Sequence, residues 1–298
     1  MTLVVLGLDA LDAGLIDHFG LDGFKLETSA EIETYAYSRD VPYTLEVWPS
    51  VATGVGPDEH GIVDAGTSEW SNPVLELGSR VTGRLAEGTR GKLGRLVRNY
   101  TGEREQLATT DVASIFDEEG AVVRNWPGVH GGSDLQYAWD LMYDVAEDMP
   151  KDEFERKLLG LCAEQFGWAR EMLHHEVRLA GVHIHTLDAA GHAYAGSESD
   201  LEAMYRRTSE FVAELVAALG PDDDVLIVSD HGMHTPFYDG ERGHSWRAFA
   251  STTADSVPED VMDVADWVRT RLPEHDVRPD RDDVDLPMQE LRDLGYVE

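Results

Sequence analysis

The chain has 298 residues and a formal net charge of −34, which comes from 58 acidic residues against 24 basic ones. This charge argues against non-specific nucleic-acid binding, because such binding needs Lys and Arg to displace counterions from phosphates. The 42% of hydrophobic residues supports an ordinary buried core, and no apolar stretch approaches the roughly 18 residues that a membrane span needs.

The acidic residues are spread along the whole chain, and only four of the basic residues are lysines. So much like charge repels itself in dilute buffer, whereas concentrated salt screens it. We therefore predict a halophilic protein of a salt-rich cytoplasm; the alternative, one acidic binding surface, fits the even spread less well. No signal peptide is visible at the N-terminus, which also favours the cytoplasm. The single cysteine, Cys162, rules out an intramolecular disulfide.

Strand-like and helix-like segments alternate from the first residues onward. This alternation predicts an α/β fold with a mostly parallel central sheet and helices on both faces. The predicted strands cover residues 3–8, 121–125, 182–187, 225–229 and, at one edge, 247–253. The predicted helices cover residues 12–19, 46–53, 110–119, 133–148, 152–179, 200–219, 258–271 and 286–294. We expect a single catalytic domain over residues 1–298, with a cap or insertion at about 66–110.

One segment departs from the acidic composition. Residues 80–98 carry six basic side chains and a single acid, Glu87. The segment is either a solvated surface excursion, a cap that attracts an anionic substrate, or a contact with an acidic neighbour in a homo-oligomer.

Six side chains that can bind metal stand at or just beyond the ends of predicted strands. They are Asp9, Asp188, His192, Asp230, His231 and His244. In an open α/β sheet, ligands and catalytic groups gather at the carboxyl ends of the strands. We therefore predict that these residues, spread over more than 230 positions, converge on one edge of the sheet.

The residue types match two-metal hydrolysis of phosphate esters, which needs oxygen and nitrogen ligands, a nucleophile and two ions about 3.5–4 Å apart. Asp and His together favour Zn²⁺, and Mn²⁺ or Fe is less excluded than at a Cys-rich site. The i, i+4 spacing of Asp188 and His192 places both on one face of a helical turn. Thr44 precedes a predicted helix, whose positive end would favour an alkoxide and a phosphate oxygen.

Each of these residues alone is a weak signal. An aspartate after a strand, such as Asp9, is often only a helix cap, and a lone histidine such as His192 is usually a buried hydrogen-bonding residue. The pair Asp230-His231 is stronger, because two such side chains after a central strand have no obvious packing role. The order and spacing of the whole set make the signal specific.

Four motifs together carry a resemblance to a known family. In residues 41–62, Thr44 stands ten residues before Gly54; residues 185–192 read His-Thr-Leu-Asp-Ala-Ala-Gly-His; residues 228–233 read Val-Ser-Asp-His-Gly-Met; and His244 lies in Gly-His-Ser. With these motifs the sequence resembles the alkaline phosphatase superfamily, most closely its type I phosphodiesterase/nucleotide pyrophosphatase branch. The resemblance implies an alkaline phosphatase-like α/β/α sandwich.

The resemblance also implies roles for the site residues. One divalent ion would be held by Asp188, His192 and His244. The other would be held by Asp9, Asp230 and His231 together with Thr44. Thr44 would attack the phosphorus of a small-molecule phosphate ester, and the phosphothreonine would then be hydrolysed. Two Zn²⁺ ions are the expected cofactors, with Mn²⁺ as the alternative.

Two departures from the family pattern concern the substrate. Asp64-Ala65 stands where nucleotide pyrophosphatases place an asparagine that binds a phosphate oxygen. For the arginine clamp that phosphomonoesterases use, Arg242 or a residue of the basic segment is a candidate. A phosphodiesterase or pyrophosphatase is the first hypothesis. A phosphomonoesterase or phosphotransferase of the same superfamily is the second, and a non-catalytic metal-binding scaffold is the third. His183 and His185 are either neighbours of the metal ligands or simply buried residues.

Overall fold

The computed structural model describes residues 1–63 and 107–272, together with Arg292. Six strands form its main sheet in the order β2-β8-β5-β1-β4-β3. Their bounds are β1 Leu3–Leu8, β2 Thr28–Ile32, β3 Ala121–Arg124, β4 Leu179–Ile184, β5 Asp224–Val228 and β8 Ala248–Thr252. The strands β5, β1, β4 and β3 run parallel, whereas β8 and β2 are antiparallel to their neighbours. The prediction of a mostly parallel α/β sheet is therefore confirmed.

Helices cover both faces of this sheet, which explains the apolar run of β1. All six residues of β1 are buried, and successive side chains of a strand point to opposite faces. Val4, Leu6 and Leu8 belong to one core, and Leu3 and Val5 belong to the other. A strand with alternating polar residues would place polar side chains in one of these two cores, so both sets must be apolar.

The first core is covered by helices α1, α4, α5, α6 and α7, and the second by α2 and α8. The helix bounds are α1 Ala13–Phe19, α2 Thr44–Thr53, α3 Pro57–His60, α4 Ser133–Glu147, α5 Lys151–Met172, α6 Thr186–Tyr194, α7 Glu198–Val216 and α8 Val264–Arg271. Short 3₁₀ turns lie at Asp22–Phe24, Ile115–Asp117 and Val261–Asp263. A small antiparallel hairpin of β6 Gly232–His234 and β7 Gly243–Ser245 follows β5.

Several predicted boundaries were wrong. The helix predicted over 152–179 ends at Met172, and β4 begins at Leu179, because Leu179 must pair with Leu3 to bring the apolar run into the sheet. The strand predicted over 182–187 therefore ends three residues early, and its last residues enter α6. The helix predicted over 110–119 is only the 3₁₀ turn Ile115–Asp117. The strand β2 and the β6–β7 hairpin were not predicted, and β8, which was predicted as an edge strand, lies between β2 and β5.

Some expectations fall outside the described residues. Nearly all of the predicted insertion at 66–110 lies there, including the basic segment 80–98, and so does the Asp64-Ala65 pair that precedes it. The predicted helix 286–294 lies there too, apart from Arg292. Within the described ranges, no helix is both long enough and apolar enough to cross a bilayer.

The register of the parallel strands brings the predicted site residues to one edge. Leu8 of β1 pairs with Ile184 of β4, and Gly7 pairs with Val228 of β5. The amide of Asp9 donates to the Ile184 carbonyl at 3.0 Å, so pairing extends to the last residue of β4. The next residues along the three strands, which include Asp9 and Asp230, must then emerge side by side at the carboxyl edge of the sheet.

Candidate metal centre

Asp9, Asp230 and His231 form one group of potential ligands at this edge. One ligand atom from each lies within 4.8 Å of the others, and all three side chains are buried. His231 Nε2 is 3.4 Å from Asp9 Oδ1 and 3.4 Å from Asp230 Oδ2. Thr44 Oγ1 lies 3.4 Å from Asp9 Oδ1 and 3.4 Å from His231 Nε2. The threonine hydroxyl therefore belongs to this group.

Asp188, His192 and His244 form the second group, with the same limit of 4.8 Å between ligand atoms. Asp188 Oδ1 is 3.5 Å from His192 Nε2 and 3.4 Å from His244 Nε2, and the two Nε2 atoms are 3.2 Å apart. Both Asp188 and His192 project from α6, four residues apart. The His192 side chain is 39% exposed, so this group opens to solvent.

The two groups adjoin each other. The rings of His231 and His244, one from each group, stack with centroids 3.9 Å apart and planes 14° apart. The structure thus brings together all six residues that the sequence singled out, along with Thr44. They lie where five elements meet: the ends of β1 and β5, the start of α2, helix α6, and the β6–β7 hairpin.

Local structure determines which nitrogen of His231 and of His244 faces its ligand group. His231 Nδ1 lies 2.9 Å from the Gly232 carbonyl, and His244 Nδ1 lies 2.8 Å from the Pro42 carbonyl. A carbonyl oxygen only accepts, so Nδ1 of each ring donates its proton there. In the neutral ring Nε2 then carries a free lone pair, which is the form that binds metal.

A buried aspartate that the sequence analysis did not single out holds the hairpin in place. Asp12 caps α1 through Leu15 N, and its Oδ2 accepts from Met233 N at 2.8 Å and from Ser245 Oγ at 2.7 Å. Arg247 Nε donates to Asp12 Oδ1 at 2.9 Å. Met233 pairs with His244 across the hairpin, so Asp12 orients the strand segment that carries His244. Only its helix-cap spacing marks Asp12 in the sequence.

The backbone and side chains beneath the two ligand groups are closely packed. A Cβ on Gly7 would meet the Trp48 indole at 2.7 Å, so glycine is needed for this approach. Trp48 Nε1 in turn reaches Asp9 Oδ2 at 3.4 Å. Ala10 adopts a φ of 58°, which is uncommon for a residue other than glycine, and its amide points at Asp230 Oδ1 at 3.4 Å. Backbone strain of this kind is frequent at functional sites.

The buried aspartates have strongly shifted pKa values. Burial disfavours the charge of Asp9, but the charge of His185 and hydrogen bonds from His183 and His185 outweigh it and hold the pKa of Asp9 well below its usual range. Burial also opposes the charge of Asp188, and the charges of His185 and His192 outweigh it and lower the pKa of Asp188. Both carboxylates are therefore ionised and available as ligands at neutral pH.

Asp230 and His231 are shifted in the opposite sense, toward their neutral forms. Burial, with repulsion from Asp9 and Asp188, raises the pKa of Asp230 well above its usual range. Burial and the charge of His244 lower the pKa of His231 to about 4. For His244, burial lowers the pKa, but its contact with Asp188 outweighs this effect and raises it. Three buried carboxyl groups thus share a region with too little positive charge, which a cation would supply.

Two further observations indicate that these side chains could bind divalent ions. Asp188 Oδ1 and Asp230 Oδ2 are buried and have no hydrogen-bond partner among the described residues, although an unsatisfied buried polar atom is costly. The ligand atoms inside both groups are 3.2–3.5 Å apart. Two ligand atoms of a tetrahedral zinc ion, each about 2.0 Å from the metal, are about 3.3 Å apart. Such spacing is typical of atoms that share an ion.

The raised pKa of Asp230 predicts how its replacement affects the metal-free protein. Because the folded protein raises this pKa, the stabilising contribution of the protonated form is present at acid pH and is lost as the pH rises. At pH 8 in chelator, the free energy of unfolding of Asp230→Asn should therefore exceed that of wild type by about 2 kcal/mol, because on folding the wild type must either take up a proton at Asp230 or bury its charge, and asparagine does neither. Urea unfolding at pH 5 and pH 8 measures the difference. Added Zn²⁺ should reverse the order, and a less stable metal-free Asp230→Asn at pH 8 would contradict this account.

The comparison with protein families gives the class of this protein. The model described as type I phosphodiesterase / nucleotide pyrophosphatase matches residues 3–293, which is nearly the whole chain. The protein is therefore a hydrolase of the phosphoesterase type. It belongs to the type I phosphodiesterase/nucleotide pyrophosphatase family, and the resemblance noted in its motifs is confirmed.

Solved structures with similarity to the chain include two alkaline phosphatases and a pyrophosphatase/phosphodiesterase. The alkaline phosphatase from the Antarctic bacterium TAB5 is 10% identical with a TM-score of 0.46, covering 91% of this chain and 97% of that one. Murine ectonucleotide pyrophosphatase / phosphodiesterase 5 is 13% identical with a TM-score of 0.42, covering 78% and 58%. Thermus thermophilus alkaline phosphatase is 13% identical with a TM-score of 0.36, covering 78% and 59%. No curated protein matches the chain. The family assignment rests on the match of the family model alone.

Proposed function

We propose that the protein hydrolyses a phosphodiester or pyrophosphate bond, with Thr44 as the nucleophile. The observation that carries this proposal is the position of Thr44 Oγ1, 3.4 Å from both Asp9 Oδ1 and His231 Nε2. A threonine hydroxyl needs activation to attack phosphorus, and a position within a group of metal ligands is a recognised way to provide it.

Asp9, Asp230 and His231 would hold one divalent ion, and Asp188, His192 and His244 the other. When bound, such ions stabilise negative charge on the phosphate oxygens and lower the pKa of coordinated hydroxyl groups. The mixture of carboxylate and imidazole ligands without cysteine favours Zn²⁺, with Mn²⁺ as the alternative.

The protein groups supply orientation. Thr44 is the first residue of α2, and the amides of Glu46 and Val47 donate to the Tyr43 carbonyl, so at this helix start only the amides of Thr44 and Leu45 have no carbonyl partner among the described residues. These amides and the positive end of the helix favour a phosphate oxygen. Glu46, buried in the first turn of α2, accepts hydrogen bonds from the amides of Tyr37 and Ser38, each at 3.1 Å. It thereby holds the loop that precedes Thr44.

A comparison of substrates tests the proposed bond type. With two ions bound, kcat/KM for bis(p-nitrophenyl) phosphate should exceed that for p-nitrophenyl phosphate by about tenfold or more, equivalent to about 1.4 kcal/mol of transition-state binding. A preference for the monoester would favour the phosphomonoesterase hypothesis. Two bound ions with no hydrolysis of diester, pyrophosphate or monoester substrates would favour a metal-binding scaffold.

A further inference from the structure

Asp9 divides its two oxygens between two environments. Oδ1 lies 3.4 Å from Thr44 Oγ1 and 3.4 Å from His231 Nε2, within the first ligand group. Oδ2 faces away from that group and contacts three ring nitrogens. They are His183 Nε2 at 2.9 Å, His185 Nδ1 at 2.7 Å and Trp48 Nε1 at 3.4 Å. The two shorter contacts are ordinary hydrogen-bond lengths, so Oδ2 is held by N–H donors.

Asp188 in the other group is divided in the same way. Its Oδ1 lies between His192 and His244, whereas its Oδ2 lies 3.0 Å from His185 Nε2. The His185 N–H does not point directly at this oxygen, so the contact is an ion pair more than a hydrogen bond. One imidazole therefore touches the outer oxygen of an aspartate from each ligand group.

The structure holds this ring rigidly. His185 is only 3% exposed, stands at the junction of β4 and α6, and packs edge-on against Trp139 with centroids 6.2 Å apart. Asp188 follows three residues later in the first turn of α6, and Asp9 lies beside His185 across the β1–β4 pair. Sheet register and helix geometry thus both fix its two contacts.

We propose that His185 is a positioning residue that sets the relative placement of the two metal sites, an inference that rests on the proposed function. A carboxylate with two free oxygens can rotate or bind an ion through both. By occupying the outer oxygen of Asp9 and of Asp188, His185 leaves each with one oxygen, Oδ1, for its ion. Since a single rigid ring makes both contacts, the two Oδ1 atoms have a fixed separation, as two-metal phosphate chemistry requires.

His183 provides the natural comparison. Its Nε2 contacts Asp9 Oδ2, but no contact joins it to His192, His244 or a carboxylate oxygen of Asp188 among the described residues. Asp9, His183 and His185 are also close enough to be considered a third metal group. Their contacts with Oδ2 of 2.7–2.9 Å are shorter than the 3.2–3.5 Å seen within the other two groups, which favours N–H donors in place of a shared ion.

The test measures the metal affinity of both sites in wild type, His185→Gln and His183→Gln. Each metal-free protein is titrated with Co²⁺ and Zn²⁺ against a competing chelator. We expect His185→Gln to weaken both sites by about 10–100-fold, the usual effect of losing a partner of a metal ligand, and His183→Gln to weaken one site only. With both sites saturated, kcat of His185→Gln should fall while KM changes little. His60→Gln is the matched control, because His60 is also buried but bonds Ser50 and the Ile62 amide.

An effect on one site only, or on neither, in folded His185→Gln would overturn the proposal. If that variant does not fold, anomalous diffraction from zinc-loaded wild-type crystals decides. Two ions, each bound by one oxygen of Asp9 or Asp188, support the proposal; a third ion beside His183 and His185, or a bidentate aspartate, overturns it. A wild type that binds two ions in this way without hydrolysing esters would contradict the proposed function and leave the role of His185 standing.

Discussion

Thr44→Ala should lower kcat for bis(p-nitrophenyl) phosphate by about a thousandfold or more, with folding and metal content unchanged. The variant loses the only hydroxyl that lies 3.4 Å from both Asp9 and His231 within the described part of the chain. Loss of a nucleophile typically removes most of the chemical step and leaves only the contribution of substrate binding and charge stabilisation. Steady-state kinetics with matched metal analysis measures the effect.

Thr44→Ser is the matched control for this experiment. Serine retains the hydroxyl and lacks only the methyl group, so its kcat should stay within about tenfold of wild type. Acid quenching during turnover should also trap a phosphate on the peptide that contains Thr44, detectable by mass spectrometry. Wild-type turnover in Thr44→Ala, with two ions bound, would remove Thr44 from the reaction.

Loss of one ligand group should have an effect of similar size. Asp188→Ala removes the carboxylate that lies 3.4–3.5 Å from both His192 Nε2 and His244 Nε2. We expect the metal content to fall from two ions per chain to one, and kcat to fall by about a thousandfold. The remaining ion alone would not stabilise both the nucleophile and the leaving oxygen. Elemental analysis of the dialysed variant and steady-state kinetics give both values.

Asp58→Ala controls for the loss of one negative charge, since Asp58 is exposed and contacts only the Tyr37 hydroxyl among the contacts described. It should keep both ions and its activity.

Chelation of wild type should abolish hydrolysis, and Zn²⁺ or Mn²⁺ should restore it. The metal-loaded protein should also be more stable by about 4 kcal/mol at a free ion concentration one thousand times the Kd. Full activity of Asp188→Ala with one ion would contradict the two-metal proposal.

Much of this protein could be predicted from local sequence patterns. The apolar run of β1 requires burial on both faces, and the repeated alternation of strand and helix requires a mostly parallel sheet. Parallel strands end at the same edge, so Asp9 and Asp230 had to lie at one edge once β1 and β5 were placed in one sheet. The i, i+4 pair of Asp188 and His192 is a property of one helical turn and needs no tertiary information.

The strand pairing and the contacts around the metal ligands were decided only by the tertiary structure. Apolar patterning does not determine which strands are neighbours. The pairing of β1 with β4, and with it the contact between His185 and Asp9, follows from packing between segments 176 residues apart. The hairpin that presents His244 depends on Asp12, which comes from a distant segment and was visible in the sequence only as a helix cap. Residue types and spacing thus determined the chemistry that the protein can perform. Three-dimensional packing determined the orientation of each carboxylate, because a hydrogen bond depends on distances between residues that no local pattern encodes.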